Sequence, residues 1–240
     1  MELTGKVAIV TGAAVGIGRA LARRFGAEGC AVVVADIDGA NGARTAELVG
    51  PGAMFMPVDV RSDEDLTGMI ATAVDRFGAL HVLVNNAGGG GHIGPHYPDA
   101  PAGAWGAKLE LNLTSAMRAT QLALDPMLAS GGGVVVNVAS SAGVEMGPYR
   151  SPEYAAAKAG LVRFTTAAGE LRPGVRVNCV VPGWIATERA VAELDAMSAG
   201  ERAAAPIPVP VDVVADAVVH LVRDDSAAGR VTLLADRPRG

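Results

Sequence analysis

Seven short runs along the chain are almost wholly apolar: 7–10, 31–35, 53–57, 82–85, 134–138, 175–181 and 231–234. Continuous rather than alternating apolar runs predict strands buried on both faces. The stretches between them predict helices at 16–28, 40–49, 62–77, 105–128, 151–171 and 211–222. Ser62 with Asp65 supplies an N-cap signal for the third of these. Strands alternating with helices imply a parallel sheet covered on both sides. Right-handed crossovers wind such a sheet doubly and leave a ligand crevice at the carboxyl ends of its strands. No repeat, Pro/Ser linker or charge block divides the chain, so one α/β domain spanning residues 1–240 is expected.

Half of the 240 residues are apolar, enough for a substantial core, which excludes a disordered chain. The net charge is −5 and the Lys and Arg residues are scattered singly, which argues against a nucleic-acid or anionic-membrane surface. A small-molecule partner is the expectation. The first residues lack a basic segment followed by an apolar one, and no apolar run approaches the roughly 18 residues that span a bilayer. A cytoplasmic protein is therefore expected. Cys30 and Cys179 each adjoin a Val-rich strand and read as small buried hydrophobes rather than as a disulfide or metal site.

Tyr154 and Lys158 stand four residues apart in a predicted helix, just after a strand ending in Ser140-Ser141. Positions i and i+4 share a helix face. A phenol whose proton is held until about pH 10 then faces an ammonium that favours the phenolate. Such a pair can move a proton if a redox partner lies beside it. That partner is suggested by Thr11-Gly12-Ala13-Ala14-Val15-Gly16-Ile17-Gly18, which follows the first strand and opens a helix. Glycines allow a tight turn there, and helix N–H groups can meet a diphosphate. The second strand ends in Asp36, about 18 residues beyond Gly18, where a carboxylate would accept from an adenosine ribose hydroxyl and repel a 2′-phosphate. Neither Val15 nor Ile37 offers a cation for that phosphate, so NAD(H) is favoured over NADP(H). A turn-stabilising acid is the plainer alternative for Asp36. Asp59-Val60 and Asn85-Asn86-Ala87-Gly88 end the third and fourth strands, on the same side. Asp59 suits an adenine amino group, Ala87 and Gly88 leave room beside a nucleotide, and Asn85 reads as a backbone-satisfying residue.

With these residues in place the chain resembles the short-chain dehydrogenase/reductase family, in its compact single-domain branch, from about Gly5 to Leu234. The resemblance rests on Gly12, Gly16-Ile17-Gly18, Asp59, Asn86-Ala87-Gly88, Asn112, Ser140, Tyr154 with Lys158, and Pro182-Gly183, all in the family's order. It implies a Rossmann-like sheet of seven strands, hydride transfer between a nicotinamide and an alcohol or carbonyl, and a homo-oligomer, dimer or tetramer. By the same resemblance Tyr154 is the general acid/base and Lys158 binds the nicotinamide ribose. Ser140 would hold the substrate oxygen and Asn112 a relay water. Pro182, Gly183, Ile185 and Thr187 would form the nicotinamide-side segment. Spacing from Asn137 and Gly143 selects Ser140, whereas counting back from Tyr154 selects Ser141; the rigidity of the strand end favours Ser140.

The chain departs from the family's usual ending after Ala235, which removes a turn used in some oligomers. His81 replaces a common acid but sits at a strand's amino end, away from the crevice. Gly88-Gly89-Gly90-Gly91-His92-Ile93-Gly94-Pro95-His96 is an unusually glycine-rich loop, and its Pro and Gly residues argue against a helical His92/His96 metal pair. Substrate identity is expected to lie in 144–150, Trp184 and 188–206, with Arg150 and Arg189 as candidates for an anionic group. An NAD(H)-dependent oxidoreductase of secondary alcohols and ketones leads. The alternatives are a non-catalytic NAD-binding regulator or scaffold and an NADP(H)-dependent ketoreductase. Retention of Tyr154, Lys158 and Ser140 speaks against a non-catalytic role.

Overall fold

A computed structural model describes residues 1–235. All seven apolar runs form strands, and an eighth, unpredicted one joins them: β1 (Val7–Thr11), β2 (Ala31–Asp36), β3 (Ala53–Pro57), β4 (Val82–Asn85), β5 (Gly133–Val138), β6 (Glu170–Arg172), β7 (Val175–Pro182) and β8 (Val231–Leu234). The helices are α1 (Gly16–Ala27), α2 (Gly39–Val49), α3 (Asp63–Phe77), α4 (Ala102–Leu109), α5 (Ser115–Ala129), α6 (Pro152–Ala168), α7 (Glu188–Ala196), α8 (Ala199–Ala204) and α9 (Val211–Arg223). The chain end that departs from the family's pattern lies outside the described residues, apart from Ala235.

The sheet runs β3-β2-β1-β4-β5-β7. Every pairing along it is parallel, β8 adds to β7 in the same sense, and only β6 is antiparallel. The order reverses between β1 and β4, so the crevice expected at a doubly wound sheet opens above that point. Alternate side chains on each strand point to opposite faces. Val10, Val34, Val84 and Val136 pack with Leu21 and Phe25 of α1 and Val218 of α9. Ile9, Val33, Leu83 and Val135 meet Leu66 and Met69 of α3 and Met127 of α5. Two covered faces explain why the strands read as unbroken apolar runs.

Two helix boundaries differ from expectation for local reasons. Helix α6 stops at Ala168 because Gly169 turns left-handed at φ 45°, and Glu170–Arg172 folds back along β7 instead of extending the helix to 171. The long helix expected at 105–128 begins at Ala102 and is interrupted by a π-turn at Glu110–Thr114. Such single-turn insertions recur at functional sites, and this one carries Asn112. No helix among the described residues is long and apolar enough to cross a membrane.

Candidate active site

The strand ends converge on one cavity of about 1260 Å³. Gly12, Gly16, Ile17 and Gly18 line it after β1, Asp36 after β2, Asp59 and Val60 after β3, and Asn86, Ala87 and Gly88 after β4. Pro182, Gly183, Ile185 and Thr187 close it after β7, and Ser140, Tyr154 and Lys158 stand at the same end.

Close approach of the segment after β4 to Gly12, and of α1 to its own preceding loop at Gly18, makes these two glycines necessary. A Cβ on Gly12 would stand 2.7 Å from Ala87 Cα, and one on Gly18 would stand 2.0 Å from the Gly12 carbonyl oxygen. The Asn86 amide sews the two loops together by donating to Thr11 O at 2.8 Å and Gly12 O at 2.9 Å. Asn85, as expected, is structural: its buried amide donates to Asn137 Oδ1 at 2.9 Å, with Thr120 and the Ala116 carbonyl as further partners. Val15 begins α1 without a side-chain cap. First-turn N–H groups therefore face the cavity, a favourable setting for an anion. One of them, Gly16 N–H, donates to Glu188 Oε2 at 3.1 Å, and Arg19 holds the other oxygen of that carboxylate. Asp36 stabilises the turns around it and also faces the cavity. It accepts from Ala14 N–H at 2.8 Å and Asp38 N–H at 3.0 Å, while also lining the cavity. Asp59 pairs with Arg61 at 2.6 Å, and Arg61 is the cation that lines the cavity on its β2–β3 side among the described residues. These donors, and a cradle too tight for Cβ atoms, fit a dinucleotide with its diphosphate at α1.

Ser140 leaves β5 in extended backbone, and Ser141 opens the 3₁₀ turn Ser141–Gly143. A Cβ on Gly143 would stand 2.5 Å from the Lys158 carbonyl carbon, so that turn and α6 are pressed together. This contact fixes Tyr154 and Lys158 relative to the end of β5. The Tyr149 ring stacks on Tyr154 with centroids 6.3 Å apart. Burial pushes the Tyr154 phenol above its ordinary value, and the Ser140 hydroxyl beside it pulls partly back. Lys158 does not deliver the expected depression of the phenol. Its Nζ lies 5.9 Å from the Tyr154 ring centroid and donates to Val138 O at 2.9 Å. Burial without a carboxylate partner lowers Lys158 itself to about 8. Desolvation outweighs the cation, and the phenol stays protonated at neutral pH.

Asn112 is buried behind the cavity rather than in its lining. Its Nδ2 donates to Gly89 O and Lys108 O, and its Oδ1 accepts from Gly89 N–H at 2.8 Å. Asn112 Oδ1 and Lys158 Nζ flank Gly88, at 2.8 and 3.2 Å from where a Cβ would stand. His92 lines the cavity, whereas His96 is turned to Glu153 and Lys108. His81 accepts from Val7 N–H at the opposite end of the strands. Both cysteines are buried and free, their thiols pushed up to about 11 by burial. Glu188 and the pairing of Glu153 with Lys108 went unread in the sequence, because only the fold brings these partners together across 172 and 45 positions; Arg61 went unread although its partner Asp59 stands two positions away.

The short chain dehydrogenase family matches residues 6–197. The chain is 40% identical over 186 residues to an L-fucose dehydrogenase of Bos taurus, covering 76% of this chain and 67% of that one. It is 38% identical to a cis-4-hydroxycyclohexanecarboxylate dehydrogenase of Sinomonas cyclohexanicum, over 76% of this chain and 74% of the relative. A solved 7α-hydroxysteroid dehydrogenase complexed with NADH and 7-oxo glycochenodeoxycholic acid superposes with a TM-score of 0.87 at 28% identity, covering 97% of this chain and 94% of that one.

Proposed function

The chain belongs to the short-chain dehydrogenase family and is an oxidoreductase of CH–OH groups, and we propose that it interconverts a secondary alcohol and a ketone with NAD(H). The observation that carries this reading is the convergence of the glycine loop, Asp36, Ser140, Tyr154 and Lys158 on one cavity. A bound nicotinamide supplies the hydride acceptor for oxidation or the donor for reduction. In reduction, Tyr154 gives its phenol proton to the carbonyl oxygen while Ser140 donates a hydrogen bond to the same atom. In oxidation the alcohol proton returns to Tyr154 as the phenolate. Lys158, freed from Val138 O, binds the ribose hydroxyls and stabilises that phenolate. Asn112 keeps Gly88 and Gly89 in place and holds the relay water. Gly12, Gly16, Ile17 and Gly18 seat the diphosphate. Asp36 takes the adenosine ribose, Asp59 and Val60 border the adenine, and Asn86, Ala87 and Gly88 leave space for the nucleotide. Pro182, Gly183, Ile185 and Thr187 bound the nicotinamide.

One domain carries both cofactor and substrate sites, and the enzyme works as a cytoplasmic homo-oligomer. Arg150 and Arg189 line the substrate side of the cavity beside Tyr149 and Trp184. Arg189 already pairs with Glu193 at 3.0 Å, so Arg150 is the cation that favours an anionic group on the substrate, in keeping with the acids named for one relative and for the steroid complex. The test is to follow nicotinamide absorbance with NAD⁺ and NADP⁺ over hydroxy acids, their amides and neutral alcohols. Turnover with NAD⁺, greater for the acids than for their amides, supports the reading. Faster turnover with NADP⁺ would overturn the cofactor assignment.

A further inference from the structure

The glycine-rich segment after β4 lies directly on the proposed acid. A Cβ on Gly91 would come within 2.9 Å of Tyr154 Cδ1, so backbone packs against the phenol ring. Glycines 88–91 have little conformational stiffness of their own, and something else must hold them there. Asn112 grips Gly89 through both its backbone groups. The far end is held by a buried cluster that belongs to no motif in the chain.

Glu153, the residue before Tyr154, is only 6% exposed. Its Oε1 accepts from Lys108 Nζ at 2.7 Å and from Ser151 Oγ at 2.9 Å, and lies 3.1 Å from His96 Nδ1. Its Oε2 accepts from Tyr97 N–H at 3.4 Å. Lys108 in turn donates to the Ile93 carbonyl at 2.9 Å. An acid in a helix's first turn commonly faces water, where the dipole alone rewards it. This one instead reaches into the protein and joins α6, α4 and the loop. Burial would raise its carboxyl, yet the bonds from Lys108, the backbone, His96 and Ser151 more than reverse that and hold it well below the usual range.

We propose that Glu153 is a positioning residue: through Lys108 and His96 its carboxylate clamps segment 89–97 against the Tyr154 ring and so sets the shape of the substrate pocket. The proposal rests on Tyr154 as the acid/base, but the clamp can be read without turnover. Glu153→Gln keeps the side chain's shape and removes the charge that Lys108 requires. Lys108→Met removes the other partner and leaves a buried carboxylate uncompensated.

The experiment compares wild type, both single variants and the double variant by amide hydrogen exchange, NADH titration and steady-state kinetics on an alcohol turned over by wild type. Exchange at 89–97 should rise about tenfold or more in each variant, with the sheet unchanged. The KM for the alcohol should rise about tenfold while kcat changes less and NADH binding stays within about twofold. The double variant should be no worse than Lys108→Met, because the two groups act as one unit. If Glu153→Gln does not fold, the same readouts on Lys108→Met decide. Unchanged exchange at 89–97, or a loss confined to NADH affinity, overturns the clamp. Full turnover by Tyr154→Phe would instead defeat the reading of Tyr154 and leave the exchange result standing.

Discussion

Lys158 is a buried ammonium with a carbonyl for company, and replacing it should stabilise the folded chain while ending its activity. A lysine held at about 8 in the fold against an ordinary 10.5 costs folding about 3 kcal/mol wherever both states are charged. The cost is therefore complete below about pH 8. Between about 8 and 10.5 the folded lysine has lost its proton while the unfolded one keeps it. The unfolded chain then binds more protons, so stability rises with pH across that window. Lys158→Met removes this dependence and forfeits the bond to Val138 O, worth about 1 kcal/mol. The variant should be more stable than wild type by about 2 kcal/mol at pH 7, and slightly less stable near pH 10. Urea unfolding of both cofactor-free chains across that range measures the difference, a midpoint shift of about 1 M at neutral pH. Other titrating groups, including the buried cysteines, are present in both chains and largely cancel. A difference that does not change between pH 7 and 10 would refute the assignment of a suppressed ammonium to Lys158.

Other expectations follow from the same geometry. Gly18→Ala drives a methyl against the Gly12 carbonyl and should weaken NADH binding by about 100-fold or more, measured by fluorescence titration. Asp36→Asn keeps an acceptor for Ala14 N–H but loses the charge. The preference for NAD⁺ over NADP⁺ should fall by about tenfold or more in kcat/KM. Glu188→Gln removes a negative charge bound to the first N–H of α1 and should tighten NADH binding by about threefold to tenfold at low salt, less at high salt. A weaker complex would show that Glu188 supports the cofactor site instead of competing for it.

The parts of the fold that could be read in advance are those where local pattern and tertiary demand coincide. Strands covered on both faces must be apolar throughout, so β1, β2, β4, β5 and β7 stood out as Val-rich runs, while the half-buried β3 and β8 were visible as short apolar runs. Strand β6 is exposed along its three residues and leaves no such trace. Helices α7 and α8 were missed inside an Ala-rich stretch, although Ser198 and Glu201 form a capping box whose S-x-x-E signature stood in the sequence. The strand-end lining of the cavity was legible because glycines and strand-end acids recur at fixed spacing in a doubly wound sheet. The Glu153 clamp was not, since Lys108 and His96 are 45 and 57 positions away, Lys108 reads singly as an ordinary surface residue and His96 was weighed only against His92. Spacing also does not convey how deeply the Tyr154–Lys158 pair is buried. Helical proximity suggested mutual tuning, but burial is the largest influence on both groups.

The central claim is that Tyr154 moves the proton while other residues hold the cofactor. Tyr154→Phe deletes one hydroxyl from a ring packed between Tyr149 and Gly91. NADH should bind the variant within about threefold of wild type, and kcat for an alcohol or ketone should fall by about 100-fold or more. Unchanged turnover with intact NADH binding would contradict the account.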